Sequence, residues 1–189
     1  MEFISKNPLI FILSGKAQSG KNYVADKIEK YYQSKKCIQI SFAYYLKQYA
    51  KKISDWDGNE KTKPRDLLQS LGIELIKNKI DKNLLINRVI EDIKIYSNFF
   101  DIIIITDARL IDEIEKIKKT FAKVITIRVN KEDNNLTEVQ KQHITETALD
   151  NYIKYDYIID NNSLNNLEEK TIKILEALYE NSCSWWTCW

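Results

Sequence analysis

LIFILSGKAQSGKNYVA, residues 9 to 25, is the stretch that decides the fold of this chain. Its apolar start, Leu9 to Leu13, is typical of a buried strand. Gly15 and Gly20 follow with four residues between them, and Lys21 comes directly after. The amides of such a loop can surround phosphate oxygens, and the lysine can neutralise charge between the β and γ phosphates. Because apolar residues then recur at helical spacing, the stretch predicts a strand, a phosphate-binding loop and a helix, with a nucleoside triphosphate as ligand.

The start of that helix supplies the first candidate binding groups. Ser19 to Asn22 should open the helix, whose N-terminal amides and dipole favour phosphate. Lys21 is the clearest catalytic candidate. The residue after such a lysine is usually Ser or Thr, whose hydroxyl binds magnesium; here Asn22 offers a neutral amide oxygen, which is a weaker metal ligand.

Bulk composition narrows the function classes. The chain has 189 residues, of which 44% are hydrophobic, and this length and composition fit one catalytic domain over residues 1–180. Its net charge of +2 gives no strong positive electrostatic field for nucleic-acid binding. No run of 18 apolar residues and no signal-peptide pattern occur, so we expect a cytoplasmic protein with no membrane segment. The three cysteines are too few for a disulfide framework. The C-terminal residues 181–189, NSCSWWTCW, read as a frayed tail, with a dimerising or partner-binding patch or a redox pair as alternatives.

Strand-like and helix-like segments alternate along the chain, which predicts a doubly wound α/β sandwich with a parallel sheet. The five predicted strands are Leu9 to Leu13, Cys37 to Ile40, Ile102 to Ile105, Val124 to Val129 and Tyr157 to Ile159. The predicted helices are Lys21 to Gln33, about three helices within an insertion over residues 42–97, Leu110 to Thr120, and Leu164 to Tyr179.

Two segments can act as flaps over the sheet. In the insertion, Pro64 suits the first turn of a helix whose buried stripe is predicted at Leu67, Leu68, Leu71, Leu75 and Ile76. Arg65 and Gln69 lie four residues apart and so share one face of that helix. The polar segment 130–150, between the fourth and fifth strands, is the candidate lid.

The third strand ends in Thr106, Asp107, Ala108 and Arg109, at the edge of the sheet where the phosphate loop is expected. Asp107 can hold magnesium through water, or it can cap the helix that follows. Arg109 can contact phosphate or hold the loop.

Arginine is scarce here, since only four of the 29 basic residues are Arg: Arg65, Arg88, Arg109 and Arg128. Each one marks a place where a planar bidentate donor for phosphate or carboxylate is needed, and a structural salt bridge is the alternative for each. His143, the single histidine, lies in the lid in the sequence HITE. Neither a covalent catalytic triad nor a zinc ligand set is apparent, and phosphoryl transfer needs neither.

Four segments together resemble the deoxynucleoside monophosphate kinases of T-even-like phages, a P-loop kinase family. They are SGKAQSGKNYVADKI, RDLLQSLGIELI, IITDARLIDEIEKI, and HITETAL with DYIIDNNSLNNLEE, spread over roughly residues 9 to 170. The resemblance implies a three-layer P-loop kinase fold with a helical acceptor-binding insertion and a lid. It also implies transfer of the γ-phosphoryl group of ATP, with Mg²⁺, to a deoxynucleoside 5′-monophosphate.

The resemblance also implies roles for individual residues. It puts Gly15, Lys16, Ala17, Ser19, Gly20, Lys21 and Asn22 on ATP. Arg65 would meet the acceptor monophosphate, with Gln69, Arg88, Asp107, Arg109, His143 and Glu146 as further substrate-binding candidates. Catalytic charge would come from Lys21, Arg109 and Arg128, and the metal would lie at Asn22 and Asp107. The family often has Asp where this chain has Asn22.

Two other interpretations stay open at this point. Animal-type phosphomevalonate kinase is similar in the phosphate loop, in the DxR strand end and in the acidic flap. From a different class, the chain could be a non-catalytic ATP-binding switch, for which Asn22 is the best support. A homodimer is also left open.

Overall fold

The computed structural model describes residues 3–131 and 143–186, with side chains described as far as residue 180. Within these residues seven helices flank a five-stranded parallel sheet. Every predicted strand is confirmed, and four of them extend one to three residues beyond the predicted end. The strands are β1 (Leu9–Ser14), β2 (Cys37–Ile40), β3 (Ile102–Ala108), β4 (Val124–Asn130) and β5 (Tyr157–Asp160).

The helices alternate with the strands as expected. They are α1 (Lys21–Tyr31), α2 (Ala43–Ile53), α3 (Arg65–Gln69), α4 (Leu84–Tyr96), α5 (Ile111–Thr120), α6 (Ile144–Thr147) and α7 (Leu164–Trp186). A 3₁₀ turn at Glu60–Thr62 precedes α3, which runs directly into a π-helical segment, Ser70–Ile80. Because α7 continues to Trp186, residues 181–186 of the predicted tail are helical. No helix among the described residues is both long and apolar enough to span a bilayer.

The sheet has the strand order β2-β3-β1-β4-β5, with all neighbouring strands parallel. Along the central strand β1, Phe11 and Leu13 point into one apolar core, with α1 and α7. Ile10 and Ile12 point into the other, with α4 and α5. All four side chains are fully buried, and covering both faces in this way is what gives three layers.

Strand register fixes which residues meet at the carboxyl edge of the sheet. Ser14, the last residue of β1, pairs with Ala108 of β3 on one side and with Arg128 of β4 on the other. Arg109 therefore follows on one flank of the loop after β1, and Arg128 lies on the other flank. This edge is the place where open parallel sheets bind their ligands.

The insertion between β2 and β3 has a small core of its own, formed by Ala50, Trp56, Leu68 and Leu71. Helices α2 and α3 therefore pack together beside the sheet edge, whereas α4 packs in the core of the sheet.

One residue of the predicted buried stripe in the insertion is exposed to solvent. Leu75 is 43% exposed, although Ile76 is buried. The N–H of Asp81 donates to the carbonyl of Ile76, five residues back, at 2.9 Å. Such π-type bonding puts more residues into each turn than the 3.6 of an α-helix, so α-helical spacing assigned Leu75 to the wrong face.

Candidate active site

The loop between β1 and α1 has the backbone geometry of a phosphate cradle. Gly15, Gln18 and Gly20 have φ angles of 147°, 61° and 105°. A Cβ atom on Gly15 would lie 2.2 Å from the Val129 carbonyl oxygen, and one on Gly20 would lie 2.9 Å from Asn161 Nδ2. Glycine is therefore required at both positions, for conformation and for space. Ala17, Ser19, Gly20 and Lys21 of this loop line a cleft, which suits the phosphate ligand expected from the sequence.

Lys21 lies folded into this loop. Its Nζ donates to the carbonyl oxygens of Gly15 at 2.9 Å and Lys16 at 2.7 Å, and more weakly to Ser19 Oγ at 3.4 Å. The residue is only 7% exposed. Burial, together with the charge of Arg109, lowers the pKa of Lys21 from 10.5 to about 7. A phosphate bound in the loop would place a negative charge beside the Lys21 ammonium group and would raise the pKa of Lys21 again.

A cleft of about 710 Å³ runs from this loop to the helical insertion. This volume is in the range of small-molecule sites. The sequence-predicted residues that line it are Ala17, Ser19, Gly20, Lys21, Asn22, Arg65, Gln69, Asp107 and Arg109. The predicted residues outside its lining are Gly15, Lys16, Arg88, Arg128, His143 and Glu146. The structure thus brings the loop, the DxR strand end and the first turn of α3 together around one space.

Arg109 reaches the cleft from the end of β3. Its Nη1 forms an ion pair with Glu146 Oε1 and donates to the Thr145 carbonyl at 3.4 Å. The other oxygen of Glu146, Oε2, accepts the Ala17 N–H at 2.9 Å. Glu146, expected among the substrate ligands, is therefore bonded to the protein on both oxygens.

Arg128, on the other flank, is 8% exposed and binds away from the cleft. Its Nη2 donates to Asp150 Oδ1 at 3.1 Å, and its Nε donates to Asn130 Oδ1 at 3.2 Å. The second oxygen of Asp150 lies 3.1 Å from Lys16 Nζ. Asp150 thus connects two cations that the sequence assigned to phosphate.

Asp107 faces the cleft but is occupied by backbone amides. Its Oδ1 accepts the N–H of Phe42 at 2.8 Å, and its Oδ2 accepts the N–H of Ala43 at 3.0 Å. Asp107 therefore caps α2, which belongs to the insertion, whereas the sequence suggested capping of the helix that follows it. Burial raises the pKa of Asp107, and the two amide hydrogen bonds oppose that rise.

The helix after β3 is capped by Glu113, which sequence reasoning missed. Its Oε2 accepts the N–H groups of Arg109 at 2.7 Å and Leu110 at 2.9 Å. Glu113 is 8% exposed and lines the cleft. Burial raises its pKa from 4.5 to about 7. Its place three residues after Leu110, the helix N-cap, was a sequence signal for this role.

The far end of the cleft is rich in cations. Arg65 is exposed there, and its guanidinium group has no hydrogen-bond or ion-pair partner within the described residues. Lys47 and Lys63 also line the cleft, and both bind Glu60, at 2.9 and 3.0 Å. Burial lowers the pKa of Lys63. Both lysines were missed, because nothing in their own sequence distinguishes them from the chain's many surface lysines.

Two predicted residues take local structural contacts. The Nδ1 atom of His143 accepts the N–H of Thr145 at 3.3 Å, which caps α6. Arg88 lies over the Tyr45 ring at 5.7 Å and pairs with Glu91 at 3.8 Å. The structure does not bring either side chain into the cleft lining.

Metal binding at the loop depends on few protein ligands. The described part of the chain contains no cluster of three or more His, Cys, Asp or Glu residues that could hold a metal ion. Asn22 and Asp107, the predicted ligands, both line the cleft. They suit a cation that is held mainly by phosphate oxygens and water, as Mg²⁺ commonly is. The predicted lid, 130–150, is described only in part, since residues 132–142 lie outside the described residues.

Comparison with known proteins agrees with this geometry. The model of the family described as deoxynucleotide monophosphate kinase matches residues 39–171, more than half of the chain. No curated protein sequence matches the chain significantly.

Solved structures of kinases are similar in fold. A sugar kinase from Janibacter sp. has a TM-score of 0.55 at 11% identity, covering 89% of this chain and 95% of its own. The APS kinase of Mycobacterium tuberculosis, solved with AMPPNP and APS, has a TM-score of 0.53 at 11% identity, covering 91% and 98%. Shikimate kinase from Bacteroides thetaiotaomicron has a TM-score of 0.50 at 13% identity, covering 90% and 98%. The three-layer P-loop kinase fold expected from the sequence is thereby confirmed.

Proposed function

The chain belongs to the deoxynucleotide monophosphate kinase family, and on that premise we propose that it transfers the γ-phosphoryl group of ATP to a deoxynucleoside 5′-monophosphate. The observation that carries this proposal is the continuous cleft of about 710 Å³ that joins the phosphate loop to the cationic end of the insertion. Two anionic substrates can enter such a cleft from opposite ends and meet between them.

The donor half of the cleft is the loop. Its amides and the N-terminus of α1 bind the triphosphate, and Lys21 leaves the loop carbonyls for the phosphate oxygens. Mg²⁺, held by the triphosphate with Asn22 and, through water, Asp107, would neutralise charge on the β and γ phosphates.

The acceptor half lies under the insertion. Arg65 offers a fork of N–H donors with no protein partner in the described residues, which suits the dianionic 5′-phosphate. Gln69 lies one turn further along the same face of the helix. The apolar side chains around them, Phe42, Leu46, Leu68, Ile73 and Leu85, suit the flat face of a base.

Phosphoryl transfer between the two halves needs positioning and charge stabilisation. An oxygen of the acceptor phosphate forms the new bond to the γ phosphorus, and the bond to the bridging oxygen of the β phosphate breaks, leaving ADP. Arg109, between the halves, stabilises the charge that spreads over the transferred group. Arg128 would join it only by exchanging its contact with Asp150 for phosphate.

A coupled assay of ADP formation tests the proposal. Purified protein, ATP and Mg²⁺ are supplied with each deoxynucleoside and ribonucleoside monophosphate in turn, and with phosphomevalonate. We expect ADP to form at least about tenfold faster with one or more deoxynucleotides than with no acceptor. Turnover with phosphomevalonate alone would support the runner-up activity. Slow turnover that no acceptor changes would support the ATP-binding switch.

A further inference from the structure

Glu146 is a buried carboxylate that stands behind the cleft wall. It is 8% exposed and does not line the cleft, although Ala17, Arg109 and its neighbour Thr145 do. Phosphates in the cleft therefore do not meet its negative charge directly. Burying a carboxylate is costly without partners, and the partners of Glu146 are groups of the protein itself.

Its two oxygens join groups from distant parts of the chain. Oε2 accepts the Ala17 N–H, 129 residues away, in the phosphate loop. Oε1 pairs with Nη1 of Arg109, 37 residues away, at the end of β3. One carboxylate thus sets the distance between the loop and the arginine, and it does so from α6, at the base of the predicted lid.

The contact leaves the rest of the arginine free for phosphate. Within the described residues, Nε and Nη2 of Arg109 make no hydrogen bond, and its side chain is 25% exposed at the cleft. An arginine held at one nitrogen retains donors for a phosphoryl oxygen and loses little further freedom on binding it.

We propose that Glu146 is a positioning residue, which holds Arg109 and the phosphate loop in fixed relation so that the guanidinium group meets the phosphoryl group in transfer. This inference rests on the proposed function and assigns Glu146 to the protein's own scaffold. The role acts in the transition state, so it affects kcat more than the Michaelis constants.

The test is a double-mutant cycle of Glu146→Gln and Arg109→Ala with the acceptor that the substrate panel identifies. The Gln side chain can satisfy the Ala17 amide or Arg109, but not both. We expect Glu146→Gln to lower kcat by about 10- to 100-fold with both KM values within about threefold. In the Arg109→Ala background the same change should lower kcat by less than about twofold. Equal effects in the two backgrounds, or an effect confined to KM, would overturn the proposal.

Two further variants separate this role from simple loss of structure. Glu115→Gln is the matched control, because Glu115 accepts the Tyr152 hydroxyl at 2.7 Å, on α5, without touching the loop or Arg109. We expect its kcat to stay within about twofold of the unsubstituted protein. Glu146→Asp, which keeps the charge but shortens its reach, should be impaired like Glu146→Gln, and it replaces that variant in the cycle if Glu146→Gln does not fold.

A binding measurement separates failure of this inference from failure of the proposed function. The affinity for ADP is compared with that for ADP plus aluminium fluoride, which mimics the phosphoryl group in flight. Glu146→Gln should weaken only the second, by about tenfold or more. If no acceptor is turned over, this difference still supports the positioning role while the proposed acceptor is rejected. Equal weakening of both complexes, or no nucleotide binding at all, would reject the positioning role.

Discussion

Glu113 couples the stability of this protein to pH, and the size of the effect follows from its burial. The side chain is 8% exposed beside the cleft, and one carboxylate oxygen accepts two backbone N–H groups. Burial raises its pKa from 4.5 to about 7, and the charge of Asp107 adds to the rise. The folded protein therefore keeps a proton on Glu113 over a range of pH in which the unfolded chain has lost it.

The sign and the magnitude can be worked out from these two values. Between pH 4.5 and 7 Glu113 binds a proton more strongly in the folded state than in the unfolded state. Its contribution to the free energy of unfolding therefore falls as the pH rises, and it levels off above pH 7. The difference between a pKa of 4.5 and one of about 7 corresponds to about 3 kcal/mol. This fall is a substantial fraction of the roughly 5 to 15 kcal/mol by which a typical domain is stable.

Urea unfolding of the unsubstituted protein and of Glu113→Gln, measured from pH 4.5 to 8, isolates the contribution. The Gln carbonyl can still accept the two amides, and it does not titrate. Effects of groups that do not interact with Glu113 cancel in the difference between the two proteins. We expect the stability of the unsubstituted protein relative to Glu113→Gln to fall by about 3 kcal/mol across this range. A difference that stays constant with pH, within about 0.5 kcal/mol, would refute the reasoning.

Three substitutions probe the cleft and the phosphate loop, with Arg88→Lys as a control. Lys21→Ala should lower kcat by at least about 100-fold, yet leave the melting temperature at pH 7 unchanged or higher, because a buried ammonium group is removed. Activity close to that of the unsubstituted protein would reject the role of Lys21. Arg65→Lys should raise the acceptor KM at least about fivefold and the ATP KM less than about twofold, whereas Arg88→Lys, outside the cleft lining, should change the acceptor KM less. Equal changes in both KM values of Arg65→Lys would reject its place in the acceptor site. Gly15→Ala should cost about 2 kcal/mol or more in urea unfolding and abolish nucleotide binding, because its Cβ would meet Val129; an unchanged affinity would contradict the cradle.

The fold was largely predictable from local patterns. Continuous runs such as Ile102 to Ile105 identify buried strands, because a strand covered on both faces is apolar at every position. The glycine spacing located the loop, since the conformation of Gly15 and Gly20 permits no other residue. The exceptions were Leu75, where the helix changes its hydrogen-bond pattern, and residues 181–186, which were expected to fray and are helical.

The contacts of the site were less predictable. Asp107 caps a helix whose first residue lies 64 residues before it, and Glu146 reaches back 129 residues to the loop. Such pairings depend on strand order, which spacing along the chain does not report. Asp150, which binds Lys16, and Asn161, whose amide donates to the Ser19 carbonyl at 2.8 Å, were missed for the same reason. Four expectations stay predictions: a cytoplasmic location, the absence of nucleic-acid binding, a homodimer, and the relation to phosphomevalonate kinase.

The attachment of α2 to Asp107 has a mechanical consequence. The first residues of the insertion are tied to the sheet by two bonds at a single carboxylate, whereas Arg65 lies more than 20 residues further along. Phe42 and α4, at the two ends of the insertion, both pack in the core of the sheet, so a swing of α2 and α3 would leave Phe42 nearly in place and move Arg65 further. An anion that draws Arg65 toward the phosphate loop can therefore narrow the gap between donor and acceptor without breaking either bond to Asp107.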